Sequence, residues 1–325
     1  MQPHKIGRRF YNDKSDRILR RIKNFVRSFF YVTGHHALKL FKKKQVINHP
    51  ITINQTSDNK SDKIISSSIA PIITWLGHST FLIQVAGINI ITDPMFFGGF
   101  PIFSRKIPLP IDVKKLPSID IVLISHNHKD HLDLPSLRLL AKHDPLVLVP
   151  VGNGPWLKRR GYKHVTEKTW WESEAINPSV TVTFLPAIHW TSRGLLDINT
   201  TLWGSWLIET PERKIYFAGD TATGAHFNQI AQQYGPMDIA LMPIGPNEPR
   251  QFIGEAHINA QEAVDAFIQL RAQHFIPMHW GTFTRMSTEN HNDPIKLLEL
   301  AWEQHKQQLF GKKLHMVTCG DPTRF

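Results

Sequence analysis

Short apolar runs separated by polar, glycine-marked breaks dominate the chain from residue 72 onward. IITW, TFLIQV and INIIT come first, divided at Gly77 and Gly87. Their length and β-branched content predict strands. DIVLIS predicts another strand that stops at His126, and LVLVP, VTVTFLP, TLWGSWLIE, KIYFAGD, DIALMP and HFIPMHW predict later ones. LDLPSLRLLAKH, GAHFNQIAQQYG, NAQEAVDAFIQLRAQ and DPIKLLELAWEQHKQQ read instead as helices. Strands and helices in this mixed order predict an α/β body over residues 70–325, two sheets with helices packed outside.

The first 69 residues have a different character. Residues 1–15 read as irregular. Over residues 16–32, Ile18, Leu19, Ile22, Phe25, Val26, Phe29 and Phe30 fall within one helical arc of roughly 140°. Arg17, Arg20, Arg21, Lys23 and Arg27 take the other side, Lys42-Lys43-Lys44 follows, and residues 55–68 read as a polar linker.

Charge sharpens this division. Residues 1–50 hold 13 Lys/Arg against 2 Asp/Glu, and the remainder holds 25 of each, so the net charge of +11 belongs to the extension. A body near neutrality lacks the basic track that nucleic acid requires, and no nucleic-acid partner is expected. The basic amphipathic helix predicts peripheral contact with an anionic membrane through residues 16–44. There is no apolar run of about 18 residues to cross a bilayer and no signal-peptide core. The lone cysteine, Cys319, excludes an internal disulfide and fits a reducing compartment. The expected location is cytoplasmic, in part at the inner membrane surface. Oligomeric state is not fixed by the sequence.

His126, His128, Asp130 and His131 crowd into six residues where a predicted strand ends. Neutral imidazoles and carboxylates suit zinc, iron or manganese. One dense cluster does not easily saturate two metals. His189, Asp220 and His279 each follow a predicted strand and are the candidates to complete the shell.

This set resembles the metallo-β-lactamase superfamily over residues of about 70–320. The resemblance implies a four-layer αβ/βα sandwich. It implies that His126, His128 and His189 bind a first metal, that Asp130, His131 and His279 bind a second, and that Asp220 bridges both. Two zinc ions are implied, with iron or manganese as alternatives. Thr92-Asp93-Pro94 matches a further element in which Asp93 supports the ligand loop from behind.

Within that superfamily, five segments resemble N-acyl-phosphatidylethanolamine-hydrolysing phospholipase D. They are Thr74-Trp75-Leu76-Gly77-His78-Ser79-Thr80, Leu202-Trp203-Gly204-Ser205-Trp206, Phe217-Ala218-Gly219-Asp220-Thr221, Pro243-Ile244-Gly245 with Glu248-Pro249-Arg250, and His279-Trp280-Gly281-Thr282-Phe283. The resemblance implies a phospholipid substrate. Its phosphodiester would be cleaved to phosphatidic acid and N-acylethanolamine by a metal-bridged hydroxide that Asp130 orients. His257, in Glu-Ala-His-Ile-Asn, matches a substrate-facing histidine and is expected to contact the phosphate or protonate the leaving group. His78 is expected to approach the site, and Arg250 and Arg193 to pair with phosphate. The loop from Phe96 to Phe103 is expected to form an acyl-chain groove or meet a bilayer. The alternative reading is a soluble lactonase or phosphoesterase acting on a small polar metabolite, which calls for a small closed polar pocket.

Overall fold

The computed structural model describes residues 1–12, 18–41, 70–98, 104–194, 196–283 and 287–325. The chain opens with a hairpin of β1 (His4–Ile6) and β2 (Arg9–Tyr11), followed by helix α1 (Ile18–Phe41). The first large sheet is laid down by β3 (Ile72–Gly77), β4 (Thr80–Val85), β5 (Ile88–Thr92), β6 (Ile121–Leu123), β7 (Leu146–Pro150) and β8 (Val165–Lys168). The second comprises β9 (Ser173–Asn177), β10 (Val180–Leu185), β11 (Ser205–Glu209), β12 (Lys214–Phe217), β13 (Ile239–Pro243), β14 (His274–Met278) and β15 (Lys313–Leu314). The last strand, β16 (Pro322–Arg324), returns to the first sheet beside β3, giving two sheets of seven strands.

Each sheet begins antiparallel and becomes parallel. In the first, β5 through β8 run parallel; in the second, β12 through β15 do. Strands in this arrangement are covered on both faces, which is why they read as continuous apolar runs. Ile73, Trp75, Phe81, Ile83, Ile121, Leu123 and Leu148 face Val182, Phe184, Trp206 and Phe217 across the main core. Leu82, Ile91, Val122 and Val147 point the other way, against Leu137, Leu140 and Leu157. Those last residues lie on α2 (Leu134–Leu140) and α3 (Gly154–Lys158), the outer layer of the first sheet. The second sheet is covered by α4 (His226–Tyr234), α6 (Ala260–Gln269) and α7 (Asp293–Gln304), with the short α5 (Arg250–Ile253) preceding α6. The result is the four-layer αβ/βα sandwich that the sequence led us to expect. Each buried Leu, Ile or Phe of these faces contributes about 1.5–3 kcal/mol.

Two features of the N-terminal segment differ from the sequence reading. The irregular stretch expected at residues 1–15 is a hairpin through residue 11, because Phe10 sinks its ring into the main core and its N–H donates to the Asn199 carbonyl at 2.8 Å. The helix expected to end at residue 32 continues to Phe41, as residues 33–41 contain no proline to stop it. The Lys42-Lys43-Lys44 cluster, the polar linker and residues 99–103 of the aromatic loop lie outside the described residues.

Helix α1 leans on the body through α5. Val32 is buried, the Tyr31 ring meets Phe252 edge-on at 6.0 Å, and His36 Nε2 lies 2.9 Å from the Ser287 carbonyl. Val26, Phe29 and Phe30 remain exposed, as do Lys23 and Arg27. Among the described residues no helix is long and apolar enough to cross a membrane.

Candidate metal centre

The clustered histidines and aspartates leave the sheets at the carboxyl ends of strands, along one edge of the sandwich. After β6, the chain passes Ser125 to His126 and then turns back tightly. The His128 carbonyl accepts from the His131 and Leu132 N–H groups at 3.1 and 2.8 Å. That turn brings the His131 ring back to 4.1 Å from that of His126, with Asp130 Oδ2 3.6 Å from His131 Nε2. His189 follows β10, Asp220 follows β12 through Gly219, and His279 directly follows β14. Gly219 has a φ of +58°, and a Cβ there would meet Ser125 Cβ at 2.6 Å, so this close loop approach requires glycine. His78, Asp93 and His279 carry φ values of 54°, 32° and 59°. Left-handed backbone at such residues costs on the order of 1–3 kcal/mol each and clusters at functional sites. Hydrogen bonds hold it in place: His279 N–H donates to the His78 carbonyl at 3.1 Å, and His78 N–H to Thr282 Oγ1 at 2.6 Å.

Two groups of donor atoms result. In the first, His128 Nδ1 lies 2.9 Å from His126 Nε2 and 3.2 Å from His189 Nε2. The second gathers His78, Asp130, His131 and His279, whose ligating atoms all lie within 4.8 Å of one another. Asp220 Oδ2 sits between them, 3.9 Å from His126 Nε2, 3.8 Å from His189 Nε2, 3.3 Å from His131 Nε2 and 3.2 Å from His279 Nε2.

The opposite ring nitrogens are anchored. His189 Nδ1 lies 2.8 Å from the Ala256 carbonyl and His279 Nδ1 lies 2.9 Å from that of Gly245. A carbonyl only accepts, so these Nδ1 atoms carry the proton and Nε2 turns its lone pair inward. His131 Nδ1 is 2.7 Å from Asp93 Oδ2, and Asp93 also accepts from Ser125 N–H and Oγ–H at 2.7 and 2.5 Å. Asp93 therefore stands behind the loop that carries His126 and His131.

Among the described residues, the buried His131 Nε2, His279 Nε2 and Asp220 Oδ1 have no hydrogen-bond partner. Leaving such atoms unpaired costs about 1–3 kcal/mol apiece. A cation meets that need, and this mixture of imidazole nitrogen and carboxylate oxygen suits zinc-like divalent ions. The buried clusters are consistent with a dinuclear metal site.

The electrostatics point the same way. Burial holds His126 and His189 well below the ordinary imidazole range and lowers His128 to about 4, so all three are neutral donors at pH 7. Burial also opposes protonation of His131, but Asp220, Asp130 and Asp93 outweigh it and raise that ring well above its usual value. Burial pushes Asp220 and Asp130 upward, yet the surrounding imidazoles, His131 foremost, hold both carboxyls below the ordinary range. Ionised carboxylates and neutral imidazoles are the forms that bind metal, so a cation here would take the place of the proton that the surrounding carboxylates hold on His131.

His257 stands at the edge of the cluster, with Nδ1 3.7 Å from Asp220 Oδ2 and its side chain 17% exposed. Burial lowers it to about 4. His78 does approach the centre, but it is buried and its Nε2 lies 3.1 Å from Asp130 Oδ2, so it meets Asp130 instead of open space.

Both arginines expected to meet phosphate are engaged elsewhere. Arg250 pairs with both carboxylate oxygens of Glu262 and donates to the His257 carbonyl at 2.6 Å. Arg193 donates to the Asn127 and Leu132 carbonyls at 2.9 and 2.8 Å and covers the Trp156 ring. Carbonyls exposed by tight loops need donors, and these guanidinium groups supply them. Ser125 and Asn12 also reach the centre, and no motif in the sequence marks either.

Residues 88–280 match the Beta-lactamase superfamily domain. The chain belongs to the metallo-β-lactamase superfamily. Within it, the chain is 37% identical over 244 residues to N-acyl-phosphatidylethanolamine-hydrolyzing phospholipase D 1 of Caenorhabditis elegans, covering 70% of this chain and 68% of that protein. It is 35% identical over 262 residues to the mitochondrial N-acyl-phosphatidylethanolamine-hydrolyzing phospholipase D of Saccharomyces cerevisiae, covering 76% and 56%. The chain thus spans about two thirds of the nematode protein and just over half of the yeast one. A metal-dependent hydrolase of Pyrococcus furiosus is 30% identical over 234 residues, covering 72% of this chain and 93% of that protein. Among solved structures, a metallo hydrolase from Ignicoccus hospitalis shares the fold with a TM-score of 0.61 at 23% identity, covering 79% of this chain and 98% of that one. An isothiocyanate hydrolase from Delia radicum gut bacteria does so with a TM-score of 0.59 at 19% identity, covering 78% and 99%. Superfamily membership and the buried histidine–aspartate cluster make this chain a metal-dependent hydrolase.

Proposed function

We propose that the chain hydrolyses the phosphodiester of N-acyl-phosphatidylethanolamine-like lipids, releasing a phosphatidic acid and an N-acylethanolamine. The observation that carries this reading is the 37% identity with the nematode enzyme of that name. His126, His128 and His189 would hold one cation and Asp130, His131 and His279 the other, with Asp220 facing both. Zinc is the preferred pair. When bound, two such cations supply an activated water and neutralise phosphoryl charge. Asp130, a quarter exposed and held at Oδ2 by His78, would orient the attacking water. The bond from phosphorus to the ethanolamine-side oxygen breaks, and phosphatidic acid keeps the oxygen from water.

His257 is neutral at pH 7, so it suits a hydrogen bond from a ring N–H to a phosphoryl oxygen and not transfer of a proton, and the departing oxygen would take its proton from the attacking water. The His257→Gln variant is expected to retain both metals by elemental analysis while its kcat falls about a hundredfold. Undiminished turnover would remove His257 from the reaction.

Lipid contact has its own support. Val26, Phe29 and Phe30 are exposed on α1, with Lys23 and Arg27 nearby, and Phe97 and Leu196 are exposed on the segments that follow Asp93 and His189. An interfacial helix presents this combination to an anionic bilayer, and the enzyme would then work at the cytoplasmic face of a membrane. A Phe29→Ser/Phe30→Ser variant is expected to lose about tenfold or more in co-sedimentation with phosphatidylserine vesicles. Its turnover of a short-chain dispersed substrate should not change. Unaltered sedimentation would dismiss α1 as the membrane contact.

The deciding assay offers zinc-loaded protein an N-acylated phosphatidylethanolamine, a lactone and a generic phosphodiester. Lipid turnover is expected. Turnover of the lactone alone would overturn this reading in favour of a small polar metabolite.

A further inference from the structure

We propose that Asn12 is a positioning residue for the metal centre, holding the main chain of His189 so that the ring presents Nε2 to its neighbours. The inference rests on the reading of His189 as a metal ligand.

His189 has left the sheet; β10 ends four residues earlier, at Leu185. Its main chain meets a side chain that acts as a strand would. Asn12 Nδ2 donates to the His189 carbonyl at 3.0 Å, and His189 N–H donates to Asn12 Oδ1 at 3.2 Å. The same Oδ1 accepts from Trp203 Nε1 at 3.1 Å, which fixes the rotation of the carboxamide. Asn12 is buried, 6% exposed.

A second asparagine ties the hairpin down beside it. Asn199 Nδ2 donates to the Phe10 carbonyl at 3.0 Å, and Phe10 N–H donates to the Asn199 carbonyl at 2.8 Å. Asn199 N–H in turn donates to the Thr191 carbonyl at 2.7 Å, and Thr191 N–H to Asn199 Oδ1 at 3.1 Å. Residues 10–12 and 189–199 are thereby clasped together around His189.

His189 is consequently held at two ends, its ring through Nδ1 and Ala256, its main chain through Asn12. Two fixed points leave Nε2 little freedom. Ligand geometry tolerates errors of only about 0.5 Å, so release of one point should register at the metal.

The test uses the full chain loaded with cobalt(II), with Asn12→Ala, Asn12→Asp, Phe10→Leu and His189→Ala variants. Asn12→Asp keeps the acceptor but loses the donor to the His189 carbonyl. Phe10→Leu weakens the hairpin without touching His189. Readouts are stepwise cobalt affinity by chelator competition, the visible cobalt spectrum, and Tm. Asn12→Ala is expected to weaken one cobalt equivalent by about tenfold or more and to shift the spectrum, with Asn12→Asp intermediate. Phe10→Leu should lower Tm yet leave both affinities and the spectrum unchanged.

Unchanged cobalt affinity and spectrum in both Asn12 variants would overturn the proposal. So would equal shifts in Asn12→Asp and Phe10→Leu, which would reduce the hairpin to a structural prop. If Asn12→Ala does not fold, the comparison of Asn12→Asp with Phe10→Leu decides. Retention of both cobalt equivalents by His189→Ala would instead remove the ligand reading, and the proposal with it.

Discussion

The Asp220→Asn variant is expected to hold close to one metal per chain in place of two and to lose about three orders of magnitude in turnover. Asp220 Oδ2 is within 4 Å of imidazole nitrogens from both donor groups. Asparagine keeps the volume and removes the charge. Breaking a buried charge pair costs roughly 3–5 kcal/mol, and each 1.4 kcal/mol is about tenfold in affinity, which gives a loss of about 10²–10³·⁵. Asp93→Asn should do less, about 10–100-fold, because Asp93 acts on the centre only through His131 and Ser125. Elemental analysis and initial rates on the lipid substrate check both. Two metals per chain with full turnover in Asp220→Asn would refute the bridging role.

Stripping the metals with a chelator should lower Tm by about 10 °C. A ligand at a hundred times its Kd contributes about 2.7 kcal/mol, two such sites contribute about 5 kcal/mol, and roughly 2 °C accompanies each kcal/mol in a chain of this size. The stripped protein should also become acid-sensitive. Burial lowers His126 and His189 well below 6.5, His78 to about 3, and His128 and His257 to about 4. The unfolded chain takes up these protons near pH 6.5 while the folded chain resists them. Stability from these groups is therefore present above about 6.5 and lost as pH falls through their folded values. His131 and His279 are raised and work oppositely, stabilising below 6.5 and ceasing to do so as pH rises through their folded values. Five lowered rings against two raised ones make the net slope downward between about pH 6.5 and 4. Melting curves of chelated protein across that range test it; a Tm that climbs toward pH 4 would contradict the assignment.

The candidate centre was legible because its histidines and aspartates sit where strands end. A strand predicted at DIVLIS and stopping at His126 already puts that loop on the edge of a sheet, and β12 and β14 do the same for Asp220 and His279. The two-sheet body was legible for a related reason: strands buried on both faces leave unbroken apolar runs. Less readable were contacts made by side chains with main chain across long sequence distances. Arg250 looked free for phosphate because nothing in one dimension shows that Glu262, which also caps α6, lies beneath its guanidinium. His78 was expected at the site, but its hold on Asp130 depends on a left-handed turn that Gly77 only hints at. Asn12 carried no signal at all. Its role arises 177 residues away, and the polar, basic segment around it resembles a disposable tail.

The pairing of β16 with β3 bears on how the chain is made. Thr323 lies opposite Ile73, 250 positions away in the chain, and Arg324 opposite Ile72. At about 5–20 residues per second, a ribosome needs roughly 12–50 s to reach the second partner after the first. Throughout that interval β3 exposes an unpaired, apolar edge, the kind of surface on which nascent chains associate wrongly. The sheet that supplies His126 through His131 thus closes only once β16 has been made, and a chaperone that shields β3 during translation would raise the yield of active protein.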